Sequence, residues 1–274
     1  MAYKRIFLDR YEFERLYNNE RLGIDAIAAK LGTSHGTVWR AFDRYGIPRR
    51  SLSEAHTRHP RQDFSGDKNE KAYLIGLRLG DLWVRKNKPG AGSKSIVVSC
   101  HTTIPEQVNL VESVFAPYGY VYVKRNPGGT LRVLGYLNLT FEFLLPKQDQ
   151  IPAWIFGKSS WFLNFLGGYI DAEGSFCVPR NGSASFQLKT YDIHILEQIA
   201  HFLHAQLKIP CHPPRLAQKQ GSPTGARYRL KKDAWTFSIA RKDSLREFCI
   251  LVAPYLKHKK RQDALRRVLL QLGS

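Results

Sequence analysis

Two carboxylates, Asp81 and Glu173, occupy matching places in two related segments of this 274-residue chain. YLIGLRLGDLWV runs from Tyr73 to Val84 and FLGGYIDAEGSF from Phe165 to Phe176. Each is an apolar, helix-like run that ends in its acid just where the pattern turns to strand. Carboxylate oxygens suit hard cations such as magnesium, calcium or manganese, and a pair of such ions about 4 Å apart serves nucleases by activating water and stabilising the leaving oxygen. One such segment reads as a buried helix with a capping acid. Two in register, in a chain this basic, point to a two-fold active site.

The elements that must position these acids are the two helical runs. Gly76 and Gly80 in the first copy, and Gly168 and Ala172 in the second, are spaced four apart and so lie on one helix face. Small residues on a shared face let two helix backbones approach closely. In both copies the acid comes five positions after the first of these residues. Packing the helices about a pseudo-two-fold axis therefore carries Asp81 and Glu173 together at one end.

These segments resemble the motifs of the LAGLIDADG homing endonucleases of the single-chain, two-motif kind, over about residues 70 to 270. The second copy matches closely. The first keeps Leu74, Gly76, Leu77, Gly80 and Asp81, but has Arg78 and Leu79 within the helix and Leu82 where a glycine commonly follows the acid. The resemblance implies an α+β fold, a pseudo-two-fold pair of αββαββα half-domains whose antiparallel sheets form a saddle over the DNA major groove. It also implies a monomer that cuts both strands of a long asymmetric site. Magnesium is the expected cofactor, with manganese substituting and calcium binding without supporting cleavage. Asp81 and Glu173 would hold the ions. PYLKHKKRQDAL, from Pro254, resembles the family segment that brings a lysine to the active site, with Lys259 at the matching place and Lys257 and Arg261 nearby; Lys147 in FEFLLPKQDQIP is the first-half counterpart. A cation there orients the attacking water or stabilises the developing phosphorane charge.

Composition agrees. Lys and Arg number 42 against 23 Asp and Glu, a formal charge of +19, which calls for a polyanionic partner; 43% hydrophobic residues argue for a folded chain rather than a basic tail. Basic residues interleaved with Tyr and Trp favour double-stranded DNA over an anionic membrane. No apolar run approaches the roughly 20 residues of a membrane span and MAYKRIFLDRYEF lacks a signal-peptide core, so an intracellular, soluble protein is expected. The four cysteines are scattered without metal-ligand spacing and read as reduced, packed thiols.

The expected organisation is a helix-turn-helix domain over 1–48, a basic linker over 49–69, and half-domains over 70–157 and 158–274. In the first, residues 9 to 21 read as one helix and Ile24 to Ile47 as two more, with Gly32 at the turn and Ser34 as cap. Ser34, His35, Thr37 and Arg40 on the last helix face a major groove if it docks as such helices do, and Arg49 and Arg50 follow as minor-groove or phosphate contacts. In the half-domains, strands are expected near residues 82–85, 96–100, 120–125 and 131–141, then 175–179, 184–190, 214–218 and 226–240, with helices over 105–116 and 193–207. On the outer sheet faces, Arg85, Lys94, Lys124, Arg125 and Arg132, with Arg180, Gln187, Lys189, Arg215, Gln218, Arg227, Arg229 and Lys231, are candidates for base and phosphate contacts. A protein of this fold that binds without cutting, as an intron RNA maturase or transcriptional regulator, is the alternative. The ending LLQLGS lacks the His-Asn pair of splicing chemistry, so an intein is not expected.

Overall fold

The computed structural model describes residues 8–50, 59–87, 95–179, 183–224 and 229–273, which leaves the candidates Lys94, Arg180 and Arg227 outside the described residues. The chain divides near residue 60 into two units.

The first unit is all helical. Helix α1 (Arg10–Glu14) is capped by Asp9 and runs into a π-helical turn over Arg15–Asn19, so the expected single helix changes its hydrogen bonding midway. Helix α2 (Ile24–Lys30) and helix α3 (His35–Tyr45) follow, joined by a turn in which Gly32 takes a φ of +60°, a left-handed conformation that favours glycine. Ser34 caps α3, its side chain accepting the Thr37 N–H at 3.3 Å. Phe13, Leu16, Tyr17, Ile27, Val38 and Phe42 fill the core. Arg50 departs from the expected DNA contact. Its guanidinium donates to the carbonyls of Arg21 and Leu22, stacks 4.0 Å from the Tyr17 ring centroid, and its backbone N–H donates to the Tyr17 hydroxyl. It is an internal brace. Arg50→Met is therefore expected to destabilise this unit by about 1–3 kcal/mol, read as faster hydrogen exchange over residues 8–50 of the full chain with the rest unchanged.

The second unit repeats one pattern. Helix α4 (Lys68–Gly80) starts at the Asp67 cap and leads into β1 (Trp83–Lys86), β2 (Ile96–Thr102), helix α5 (Pro105–Phe115), β3 (Val121–Arg125) and β4 (Leu131–Leu137). Helix α6 (Ser159–Glu173) leads into β5 (Gly174–Cys177), β6 (Ser185–Thr190), helix α7 (Ile193–Ala205), β7 (Arg215–Gln218) and β8 (Ala234–Ile239). The two four-stranded antiparallel sheets have the same order, β1-β2-β4-β3 and β5-β6-β8-β7. Helices α8 (Lys242–Val252) and α9 (Lys259–Gly273) close the chain. No helix among the described residues is long and apolar enough to cross a membrane.

Three boundaries differ from expectation. The strand expected over 131–141 stops at Leu137 and becomes a 3-10 helix over Leu139–Leu144, turning the chain toward α4. The strand expected over 226–240 begins at Ala234, leaving Arg229 and Lys231 in the β7–β8 connection, where Arg229 donates to the Gly221 carbonyl. Residues 60–67, expected as linker, belong to the second unit. Phe64 packs on Tyr118, Phe141 and Phe143, Gln62 donates its N–H to the Tyr118 carbonyl, and Phe64 donates its own to Thr140 Oγ1.

Candidate active site

Helix α4 is buried from Ala72 to Gly80, after a polar first turn, and α6 is buried over most of its length. They form the seam between the two halves. A Cβ built on Gly76 would collide with the carbonyl oxygen of Phe165 and lie 2.8 Å from the amide nitrogen of Tyr169. On Gly168 it would collide with the carbonyl of Tyr73 and lie 2.9 Å from the nitrogen of Leu77. Backbone thus meets backbone at two symmetric points. A Cβ on Gly80 would strike the Ala172 methyl and come 3.2 Å from Glu173 Cγ, so the acid-bearing ends of the helices meet as well. A polar bond crosses the seam. The Tyr73 hydroxyl donates to Asp171 Oδ2 at 2.6 Å, with Asp171 fully buried.

At this end Asp81 and Glu173 repel each other. Burial pushes the Glu173 carboxyl up to about 7, and the charge of Asp81 adds to the rise. Asp81 is reached by solvent, yet neighbouring protein still displaces enough water to raise its carboxyl; Arg261 and Lys147 pull it back down. The same two cations oppose the rise at Glu173. Lys147 Nζ donates to the Gly80 carbonyl at 3.1 Å, at the C-terminal end of α4 beside Asp81. Gln107, buried on α5, donates from Nε2 to Asp81 Oδ2 at 3.3 Å.

The structure brings Asp81, Glu173 and Lys147 together and turns Lys259 elsewhere. Lys259 Nζ lies 3.2 Å from Asp263 Oδ1, on a side chain 62% exposed. Two residues on, a half-turn around α9, the Arg261 guanidinium feels Asp171, Asp81 and Glu173, and its Nε is buried without a hydrogen-bond acceptor. Arg261 takes the place expected for Lys259. Gln107 is a further addition, a neutral side chain with no charge pattern to announce it.

These residues fit a hard divalent cation. Among the described residues no three His, Cys, Asp or Glu side chains converge, so the centre offers two carboxylates whose charges oppose each other. Magnesium is bound by one or two carboxylates with water and substrate phosphate supplying the other donors, and a cation between the acids relieves their repulsion.

No family model matches the chain. It is 32% identical over 197 residues to the uncharacterized protein MJ0398 of Methanocaldococcus jannaschii, a match spanning 70% of this chain and 69% of that protein. The chain belongs to the family of MJ0398. Among solved structures, it is similar to the homing endonuclease I-WcaI bound to its DNA recognition sequence, at 17% identity and a TM-score of 0.49, covering 80% of this chain and 96% of that one. It is also similar to the LAGLIDADG meganuclease I-AabMI bound to uncleaved DNA (10% identity, TM-score 0.45, 73% and 90% covered) and to I-SmaMI bound to uncleaved DNA with calcium ions (10%, 0.45, 76% and 92%). Similarity at this level transfers no activity.

The two sheets of this MJ0398 relative each present a row of cations. Directly paired residues share a sheet face. Lys124 opposes Arg132, which opposes His101; Tyr122, Leu134, Ser99 and Trp83 form the next row, and Tyr136, Val97 and Arg85 the third. In the second sheet Arg215, Thr236 and Lys189 share a row, Ser238, Gln187 and Ser175 the next, and Lys189 Nζ donates to Gln218 Oε1 at 3.1 Å. Arg125 falls instead in register with Leu131, on the row of Val121 and Val123 that packs against the core, so it lies off this face at the strand end. In the first unit, His35 and Arg40 stand exposed along α3, whereas Thr37 is half-buried with its hydroxyl 3.0 Å from that of Ser34, which caps the helix; Arg49 stacks 4.0 Å from Trp39 and pairs with Asp43.

Proposed function

We propose that this protein is a site-specific double-strand DNA endonuclease that hydrolyses phosphodiesters with divalent metal ions at a long asymmetric target. The observation that carries this reading is the meeting of Asp81 and Glu173 at one end of a backbone-to-backbone helix seam, with Lys147 and Arg261 beside them. The LAGLIDADG resemblance of the two motifs supports it. So do the sheet faces: Lys124 and Arg132 are like charges directly opposed, a destabilising pair that a polyanion lying on that face would relieve.

In this reading Asp81 and Glu173 hold magnesium, which supplies activation of the attacking water and charge stabilisation on the leaving oxygen. Gln107 fixes the orientation of the Asp81 carboxylate. Lys147 in one half and Arg261 in the other neutralise the charge that develops on the scissile phosphate of the strand each faces. Outward Arg85, Lys124, Arg132, Gln187, Lys189, Arg215 and Gln218 contact bases and phosphates, and α3 adds a second DNA contact as a helix-turn-helix. One chain carries both halves, so a monomer suffices. The two sheets present different side chains, hence an asymmetric site.

The test is cleavage of a plasmid library with magnesium, manganese or calcium, comparing wild type with Asp81→Asn and Glu173→Gln, and DNA binding measured for each. Magnesium-dependent cuts at one long site, lost in both variants while binding persists, support the reading. Binding at a defined site with no cleavage under any ion overturns it in favour of a regulator or intron RNA maturase.

A further inference from the structure

Arg78 is 5% exposed, and its guanidinium donates to three backbone carbonyls. Its Nε donates to Leu144 at 2.7 Å, Nη2 to Leu145 at 3.4 Å and Nη1 to Leu82 at 2.5 Å. Leu82 directly follows Asp81. Leu144 ends the 3-10 helix, and Leu145 and Pro146 lead into Lys147. The guanidinium therefore spans the backbone that carries the acid and the backbone that carries the cation. Pro146, with its fixed φ, leaves little slack between the gripped carbonyls and Lys147.

The corresponding residue of α6 is Ile170, which has nothing to donate. There the grip passes to its neighbour Asp171, whose Oδ2 accepts the Lys257 N–H at 2.7 Å, four residues before Arg261. Each half thus uses one buried charged residue of its motif helix to hold the segment bearing its cation, and the two charges are of opposite sign. A buried guanidinium is costly to desolvate, and here it sits where free carbonyls at the end of the 3-10 helix offer partial negative charge.

We infer that Arg78 is a positioning residue, fixing Lys147 against Asp81 and so setting the rate at which one of the two DNA strands is cut. This rests on the endonuclease reading above. A positioning role differs from a merely structural one in falling mainly on one strand, because Arg261, the other cation that acts on both acids, is carried by α9 and is not held by Arg78.

The experiment follows strand-resolved cleavage of a supercoiled plasmid bearing the selected site. Arg78→Met is expected to slow one strand about 100-fold, the effect of a misplacement of roughly 1 Å, so that nicked circles accumulate. The slowed strand should be the one that Lys147→Met slows. Arg78→Lys, which keeps the charge but reaches fewer carbonyls, is expected to slow the same strand by less, and it carries the comparison alone if the Met variant fails to fold by thermal melting. Equal slowing of both strands, slowing of the strand that Lys147→Met leaves alone, or no slowing overturns the inference. Failure of the wild type to cut any DNA overturns the endonuclease reading instead, and is seen before any substitution is made.

Discussion

Gly168→Val should cost the protein about 3 kcal/mol or more, enough to remove a large part of a typical domain's stability. A side chain at this position has nowhere to go. Its first carbon overlaps the Tyr73 carbonyl, and a carbonyl within a helix cannot move without disturbing the helix. Gly76 faces the same obstruction from Phe165. Urea unfolding of the full chain measures the loss, and a wild-type midpoint for Gly168→Val would sink this account of the seam. The Gly80 site permits a sharper check. Gly80→Ala places one methyl against that of Ala172, so Gly80→Ala combined with Ala172→Gly should recover most of what Gly80→Ala alone loses.

The second large effect separates stability from activity. Glu173→Gln is expected to abolish cleavage, yet to stabilise the metal-free protein above pH 7. The folded-state carboxyl sits near 7 against an ordinary value of 4.5. A raised acid binds its proton more tightly in the folded state, so its favourable contribution is full below pH 4.5 and is lost as pH rises through 7. Gln removes that loss, of the order of 2 kcal/mol, which is a rise of roughly 5 °C in melting temperature at pH 8. At pH 4 the two proteins should melt alike. Magnesium should raise the wild-type melting temperature at pH 8 and not at pH 5, where Glu173 is protonated, and should have less effect on the variant. A Glu173→Gln protein that melts below wild type at pH 8 without metal would show that the acid is a net stabiliser and that its neighbourhood has been misread.

The acids and their seam were legible because the chain states them twice. Gly76, Gly80, Gly168 and Ala172 repeat at one spacing, and a repeated spacing constrains a pair of helices far more than a single run does. Strand alternation placed most of the sheets, too. What escaped depended on phase or on burial. Lys259 and Arg261 lie two apart in a run of basic residues, and only the start of α9 decides which of them turns inward. Arg125 was lost to strand parity, since adjacent residues face opposite sides. Arg50 and Arg78 looked like a DNA contact and a departure from the motif; their carbonyl acceptors lie 28 and 29, and 4, 66 and 67, residues away. Phe64, the one Phe, Trp or Tyr in the stretch expected as linker, was the available sign that the linker ends before it.

The hydroxyl-to-carboxylate bond across the seam also acts as an address. Tyr73 in the first motif corresponds to Phe165 in the second, and Asp171 corresponds to Leu79. Two copies of the first half, meeting in the same way, would set each Tyr73 hydroxyl against a leucine. Two copies of the second would seal two carboxylates against phenylalanine rings. Only the mixed pairing gives both groups their bond across the seam: Asp171 otherwise keeps only donors from its own half, such as the Lys257 N–H, and a buried polar group left short of a partner costs about 1–3 kcal/mol, more when charged. Separately expressed halves of this chain should therefore choose each other over themselves, so the repeat works as a lock with a single key.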